Sequence, residues 1–161
     1  MLFRSRCQGS QQNISVTINP VPVVSISGGT SQSVCSGTAL NIFLSSNIPT
    51  STTYSWFALS NSNVTGESQV ASSANRIADL LVNNSTFNST VIYSVTGTAF
   101  GCRGENNIIS VSVDLKPVIQ SFTPANPTAC ATATGSITLN GLYPSRIYTV
   151  SYKKNGVAES I

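Results

Sequence analysis

Residues 6–24 read RCQGSQQNISVTINPVPVV, and residues 101–119 read GCRGENNIISVSVDLKPVI. At an offset of 95 positions, Cys7 falls on Cys102, Gly9 on Gly104, Ile14 on Ile109, Val16 on Val111, Ile18 on Val113 and Pro22 on Pro117, while the polar positions between them drift. A repeat of that length describes a tandem array whose unit is large enough to bury its own core. Each copy closes on an apolar run with the two-residue period of a strand, followed by proline, which fixes φ and removes a donor at the junction. The expected organisation is the C-terminal end of a preceding repeat over residues 1–20, a complete module over 21–117, and a partial second β module over 118–161. Residues Met1–Arg6 match no repeat register.

Composition points to strands throughout. Charged residues make up 8 % of the 161, against 40 % hydrophobic, the reverse of the balance in a disordered chain. Val, Ile, Thr and Ser are abundant, and Gly, Pro and Asn punctuate them. Within the complete module, alternation marks strands at Leu40/Ile42/Leu44, Tyr54/Trp56/Ala58, Val91/Tyr93/Val95 and Ile109/Val111/Val113. The apolar run Ile77–Val82, interrupted by Asp79, reads as a strand in preference to a helical turn. Residues 60–75 read as loops and short edge strands. Six or seven short strands in about 95 residues describe an immunoglobulin-like β-sandwich, with Trp56 and Tyr93 as core anchors. The alternative for Trp56 is a sugar-stacking platform.

After Val118 the pattern changes. GSITLNGLYPSRIYTVSYKKNG, residues 135–156, holds a strand, a Gly-Leu-x-Pro corner, an alternating Tyr148/Val150/Tyr152 strand and an Asn155-Gly156 hairpin turn. It is similar to the corner of fibronectin type III domains, and that resemblance makes Tyr148 a corner tyrosine whose hydroxyl bonds back to upstream backbone.

Four cysteines, Cys7, Cys35, Cys102 and Cys130, lack Cys-x-x-Cys spacing, and the chain has no histidine, which disfavours a zinc site. The repeat suggests that Cys35 and Cys102 pair within the complete module. Closing that loop would remove chain entropy worth roughly 4 kcal/mol and would place the protein in an oxidising compartment; the alternative is two buried, reduced thiols. Cys7 would then look to the preceding module, and Cys130 to a partner further along or to none.

Without histidine, Ser-His-Asp, Cys-His and HExxH sites are excluded. The acids Glu67, Asp79, Glu105, Asp114 and Glu159 encode no local carboxylate pair of the kind a glycosidase needs, so no catalytic residue and no cofactor are expected. Calcium would want several carboxylates, and Asp114 has only Asn19 as its repeat counterpart. The Asn-x-Ser/Thr sequons at Asn13, Asn63, Asn83, Asn84 and Asn88 follow from an Asn- and Thr-rich composition. A net charge of +3 spread over scattered basic residues argues against nucleic acid, and the lack of a long apolar run argues against direct membrane insertion by a helix.

The strings VCSGTALNI (34–42), TTYSWFA (52–58), NVTG (63–66), TVIYSVTGTAFGCRG (90–104) and ISVSVDLKP (109–117) together resemble the PKD-like repeats of very large Bacteroidetes surface proteins, including gliding-motility adhesins of the SprB type. The resemblance implies a cell-surface protein exported by a type IX system, in which such repeats form a non-catalytic stalk and neighbour one another in series, with surface polysaccharide as the expected outside partner. It assigns no ligand residues. The competing expectations are a carbohydrate-binding module, with Tyr54, Phe57 or Tyr143 stacking on sugar, and an accessory domain of a secreted hydrolase.

Overall fold

A computed structural model describes residues 9–130, 134–154 and 156–160, and among these the fold is all-β. The chain divides between Asp114 and Leu115 into two compact units.

The first unit holds strands β1 (Val24–Ile26), β2 (Ser31–Cys35), β3 (Thr38–Ala39), β4 (Ile42–Ser46), β5 (Thr52–Ala58), β6 (Val64–Thr65), β7 (Arg76–Ile77), β8 (Leu80–Asn83), β9 (Ser89–Ala99), β10 (Cys102–Arg103) and β11 (Asn107–Asp114). One layer is a five-stranded sheet in which β9 pairs with β5 along one side and with β11 and β10 along the other, and β2 adds in parallel to β11. The other layer comprises β1-β4-β7 and β3-β8-β6. Its two parts are joined where Leu40 N–H donates to Asp79 O at 2.8 Å, which carries the ladder across the interruption at Ala78–Asp79.

The alternation seen in the sequence fills the space between these layers. Leu40, Ile42, Leu44, Ile77 and Leu81 face Trp56, Val91, Tyr93, Val95, Ile109, Val111 and Val113, all of them buried. The outward face of the five-stranded sheet carries Thr53 and Ser55 on β5, Thr90, Ser94 and Thr98 on β9, and Ser110 and Ser112 on β11, around Phe57, Ile92 and Ile108.

The N-terminal segment serves both layers. β1 pairs with β4, then Gly28 and Gly29, at φ 77° and 82°, turn the chain across to β2 in the opposite sheet; a side chain at either would be strained at positive φ. The Gln32 amide fixes the turn by donating to Ser27 O and Gly29 O, both at 2.9 Å. β2 escapes the periodicity reading because SQSVC has a single apolar residue, Val34, packed partly against the core.

Residues 9–23 form no strand, and Ile14, Val16 and Ile18 are 86 %, 78 % and 90 % exposed, whereas their repeat counterparts Ile109, Val111 and Val113 are 0 % exposed. β11 already occupies the place between β9 and β2, so this sandwich has no vacancy for a second closing strand.

The cysteine pairing expected from the repeat is overturned. Cys35 and Cys102 are free thiols, the first exposed and the second half-buried. Cys35 lies opposite Asp114, one residue beyond the Val113↔Ser89 pair, whereas Cys102 lies opposite Ala99. Ten residues of β9 therefore separate the two levels, about 33 Å at 3.3 Å per residue, and a bridge requires Cα atoms within about 7 Å. Both thiols are expected to take up iodoacetamide in the native, unreduced protein; protection of the pair until reductant is added would restore the bridge. Cys130 is an exposed free thiol, and Cys7 lies outside the described residues.

In the second unit, β12 (Ser121–Ala125) pairs antiparallel with β13 (Ser136–Asn140), and β14 (Ser151–Lys154) pairs with β15 (Val157–Ser160). The hairpin expected at Asn155-Gly156 joins β14 to β15, Asn155 itself lying outside the described residues. Tyr148 and Val150 precede β14 instead of belonging to it. The Tyr148 hydroxyl donates to Tyr143 O at 3.1 Å.

Candidate functional site

A polar constellation that reaches the two core aromatics sits where β5, β9 and the interrupted β7–β8 run meet. Trp56 and Tyr93 pack edge to face, with centroids 6.1 Å apart and planes at 62°. Trp56 Nε1–H donates to Ala74 O at 2.8 Å, and the backbone of Trp56 exchanges bonds with Ser72 on the segment that covers the β5 edge. The Tyr93 hydroxyl donates to Asp79 Oδ2 at 2.8 Å. The same carboxylate accepts Ser68 N–H at 2.7 Å and Ser68 Oγ–H at 2.8 Å.

Asp79 thus ties the loop at Ser68 to the core tyrosine. In the sequence Asp79 shows only as an interruption of an apolar run and as an acid without a nearby acidic partner, because the groups it binds stand 11 and 14 residues away.

Burial first, then the hydrogen bond and charge of Asp79, with the charge of Glu67 adding, hold the Tyr93 phenol well above the ordinary tyrosine value of 10.0. Burial also raises Tyr54. The native state therefore keeps Tyr93 protonated where the denatured chain ionises. The stability this protects is fully present below pH 10 and is lost progressively as pH rises above it. Urea unfolding between pH 8 and 11 should show a falling midpoint, and Tyr93→Phe should flatten that fall; equal slopes in the two proteins would contradict it.

Glu67 and Asp114 are held by neutral donors. Glu67 accepts Asn61 N–H at 3.3 Å and the Gln69 amide at 3.2 Å, and Asp114 accepts the Asn88 amide at 2.6 Å and Ser112 Oγ–H at 3.1 Å. Among the described residues no three His, Cys, Asp or Glu side chains group as a metal site. Such an arrangement fastens loops to strands.

Of the aromatic residues named as sugar platforms, Trp56 is buried and unavailable. Tyr54 and Tyr143 are half-buried, and Phe57 is the exposed one, on the outward sheet face. The larger concavity lies in the second unit, a groove of about 740 Å³ lined by Pro124, Ile137, Leu139, Tyr148, Val150 and Tyr152. A shallower one of about 610 Å³ beside Tyr54, Thr52 and Asn75 brings no charged group to its wall.

The sequence model of the PKD-like domain matches residues 32–117, from the middle of β2 to just past β11, over half of the chain. This chain belongs to the PKD-like domain family. Among curated proteins, none matches it. PKD-like domains are typically non-catalytic, structural or adhesive modules that occur in extracellular proteins, and the features above fit such a module. Its polar cluster is consumed in holding the sandwich together, and its chain ends leave from opposite ends of the fold. Pro22 enters beside Gly97 and Gly104, where a Cβ on Gly104 would collide with Pro22 O and one on Gly97 would press on Val24, while Asp114 leaves opposite Cys35 at the other end of β11.

Proposed function

We propose that this chain is a stalk segment of a large bacterial cell-surface adhesin, with PKD-like sandwiches in series carrying a binding or sorting region away from the cell. The observation that carries this reading is the in-line path. Between Gly97, beside the incoming Pro22, and Ser89, beside the outgoing Val113, lie eight residues of one strand, about 26 Å, so each such module adds its length to the array. The 95-residue repeat supports the series, and the likeness of its strings to Bacteroidetes repeats of the SprB type supports surface display through a type IX route and a part in gliding or attachment. Neighbouring repeats are then its partners.

A second reading, carbohydrate binding, is favoured by Phe57 exposed among hydroxyls on the outward sheet face. A glycan array probed with the full chain separates the two. The spacer reading expects no saturable binding; saturable binding lost in Phe57→Ala would replace it with the second.

A further inference from the structure

We infer that the parallel pair β2·β11 is a mechanical clamp, so that the module bears load along the array instead of merely filling length. The inference takes its purpose from the spacer reading and its geometry from strand register alone.

β2 is the second strand of the sandwich and β11 the last. They run parallel, paired from Ser31↔Ser110 to Cys35↔Asp114. Ser110 N–H donates to Thr30 O and Ser36 N–H donates to Asp114 O, each at 2.8 Å, at the two ends of the ladder. Tension in a serial array pulls the incoming chain toward the start of β2 and the outgoing chain toward the finish of β11. In a parallel pair those two pulls point in opposite directions along a shared axis, so they slide one strand past the other. The evenly spaced bonds of a parallel ladder are then loaded together, and none can yield before its neighbours.

The three-residue pair β1·β4, from Val24↔Ser46 to Ile26↔Leu44, lies ahead of the clamp. It gives first, and the Gly28-Gly29 turn passes the load to β2. Val34 then holds its strand in place by packing against the core from the clamp itself.

The same ladder is weak in another direction. Cys35 and Asp114 face each other at one end of it, so a pull between these two residues opens the pair one bond at a time. Cys35 is an exposed free thiol and serves as an attachment point without alteration.

The test is single-molecule force spectroscopy on the full chain with Cys7, Cys102 and Cys130 replaced by serine. Handles are placed either at the N- and C-termini or at Cys35 and the C-terminus. Pulling by the termini should give a peak that releases about 30 nm of chain, the length of the sandwich, at a force several-fold above that of the Cys35 geometry. Equal forces in the two geometries would overturn the clamp, and that comparison uses one folded protein throughout. In Val34→Pro, which removes a donor from the middle of the ladder, the terminal peak should fall about two-fold while the Cys35 peak stays low; an unchanged terminal peak would also count against it. Glycan binding would displace the spacer reading and leave these force results untouched, so the two can fail separately.

Discussion

Replacing Trp56 with alanine is expected to lower the unfolding free energy of the sandwich by about 3–5 kcal/mol, the range for deleting a large aromatic from a packed core. The ring is 3 % exposed, rests edge-on against Tyr93, and anchors the Ala74 carbonyl. Alanine would leave a cavity against Tyr93 and an acceptor with no partner. Domains of this size have about 5–15 kcal/mol in total, so the variant should unfold at markedly lower urea. Trp56 is the single tryptophan, and far-UV circular dichroism must therefore follow the transition. Trp56→Phe separates the contributions, because it retains most of the packing and loses the bond to Ala74, for about 1–2 kcal/mol. A Trp56→Ala protein as stable as the parent would mean that the ring is not the core anchor.

The second large effect is expected at Asp79. Alanine there removes the acceptor for Ser68 N–H, Ser68 Oγ–H and the Tyr93 hydroxyl, and it strands a phenol whose ring is fully buried. A hydrogen bond to a charged group contributes about 1.5–3 kcal/mol, and an orphaned buried donor costs a further 1–3. Shared among half-buried partners, the loss should be about 3 kcal/mol. The double-mutant cycle with Tyr93→Phe gives the sharper measurement. Once Asp79 is gone, removing the hydroxyl relieves an unsatisfied group, so the double variant should be more stable than the sum of the single losses implies, by about 1 kcal/mol or more. Strict additivity would mean that the two groups do not act as a unit.

How far the sequence could be read depended on the range of each signal. Leu40, Ile42 and Leu44, or Val91, Tyr93 and Val95, declare a buried strand face within five residues, and all of them are core. Asp79 declares nothing locally, since its meaning lies in Tyr93 on β9 and Ser68 in a distant loop. β2 is nearly mute for a related reason: as an edge strand it exposes Ser31, Ser33 and Cys35 and sets only Gln32 and Val34 toward the interior, and its pairing with β11 across 79 residues, from Ser31 to Ser110, leaves no periodic trace. The cysteines mislead in an instructive way. A repeat offset shows which positions are equivalent, but not at which end of a sheet each one stands, and here Cys35 and Cys102 mark opposite ends.

Ile14, Val16 and Ile18 make the same distinction from the other side. Their pattern correctly copies that of β11, yet a pattern is only a capacity for burial. It is realised where two strand edges are waiting, as β9 and β2 wait for β11.

The hydroxyl-covered outward face of the five-stranded sheet has a consequence of its own. Most proteins stay in solution by mutual charge repulsion, which added electrolyte weakens as the screening length shortens. On that face Thr53, Ser55, Thr90, Ser94, Thr98, Ser110 and Ser112, which surround Phe57, Ile92 and Ile108, hold their hydration layer through neutral hydrogen bonds, which screening leaves alone. For such a sheet the practical meaning is a solubility that changes little as the screening length shortens at modest ionic strength.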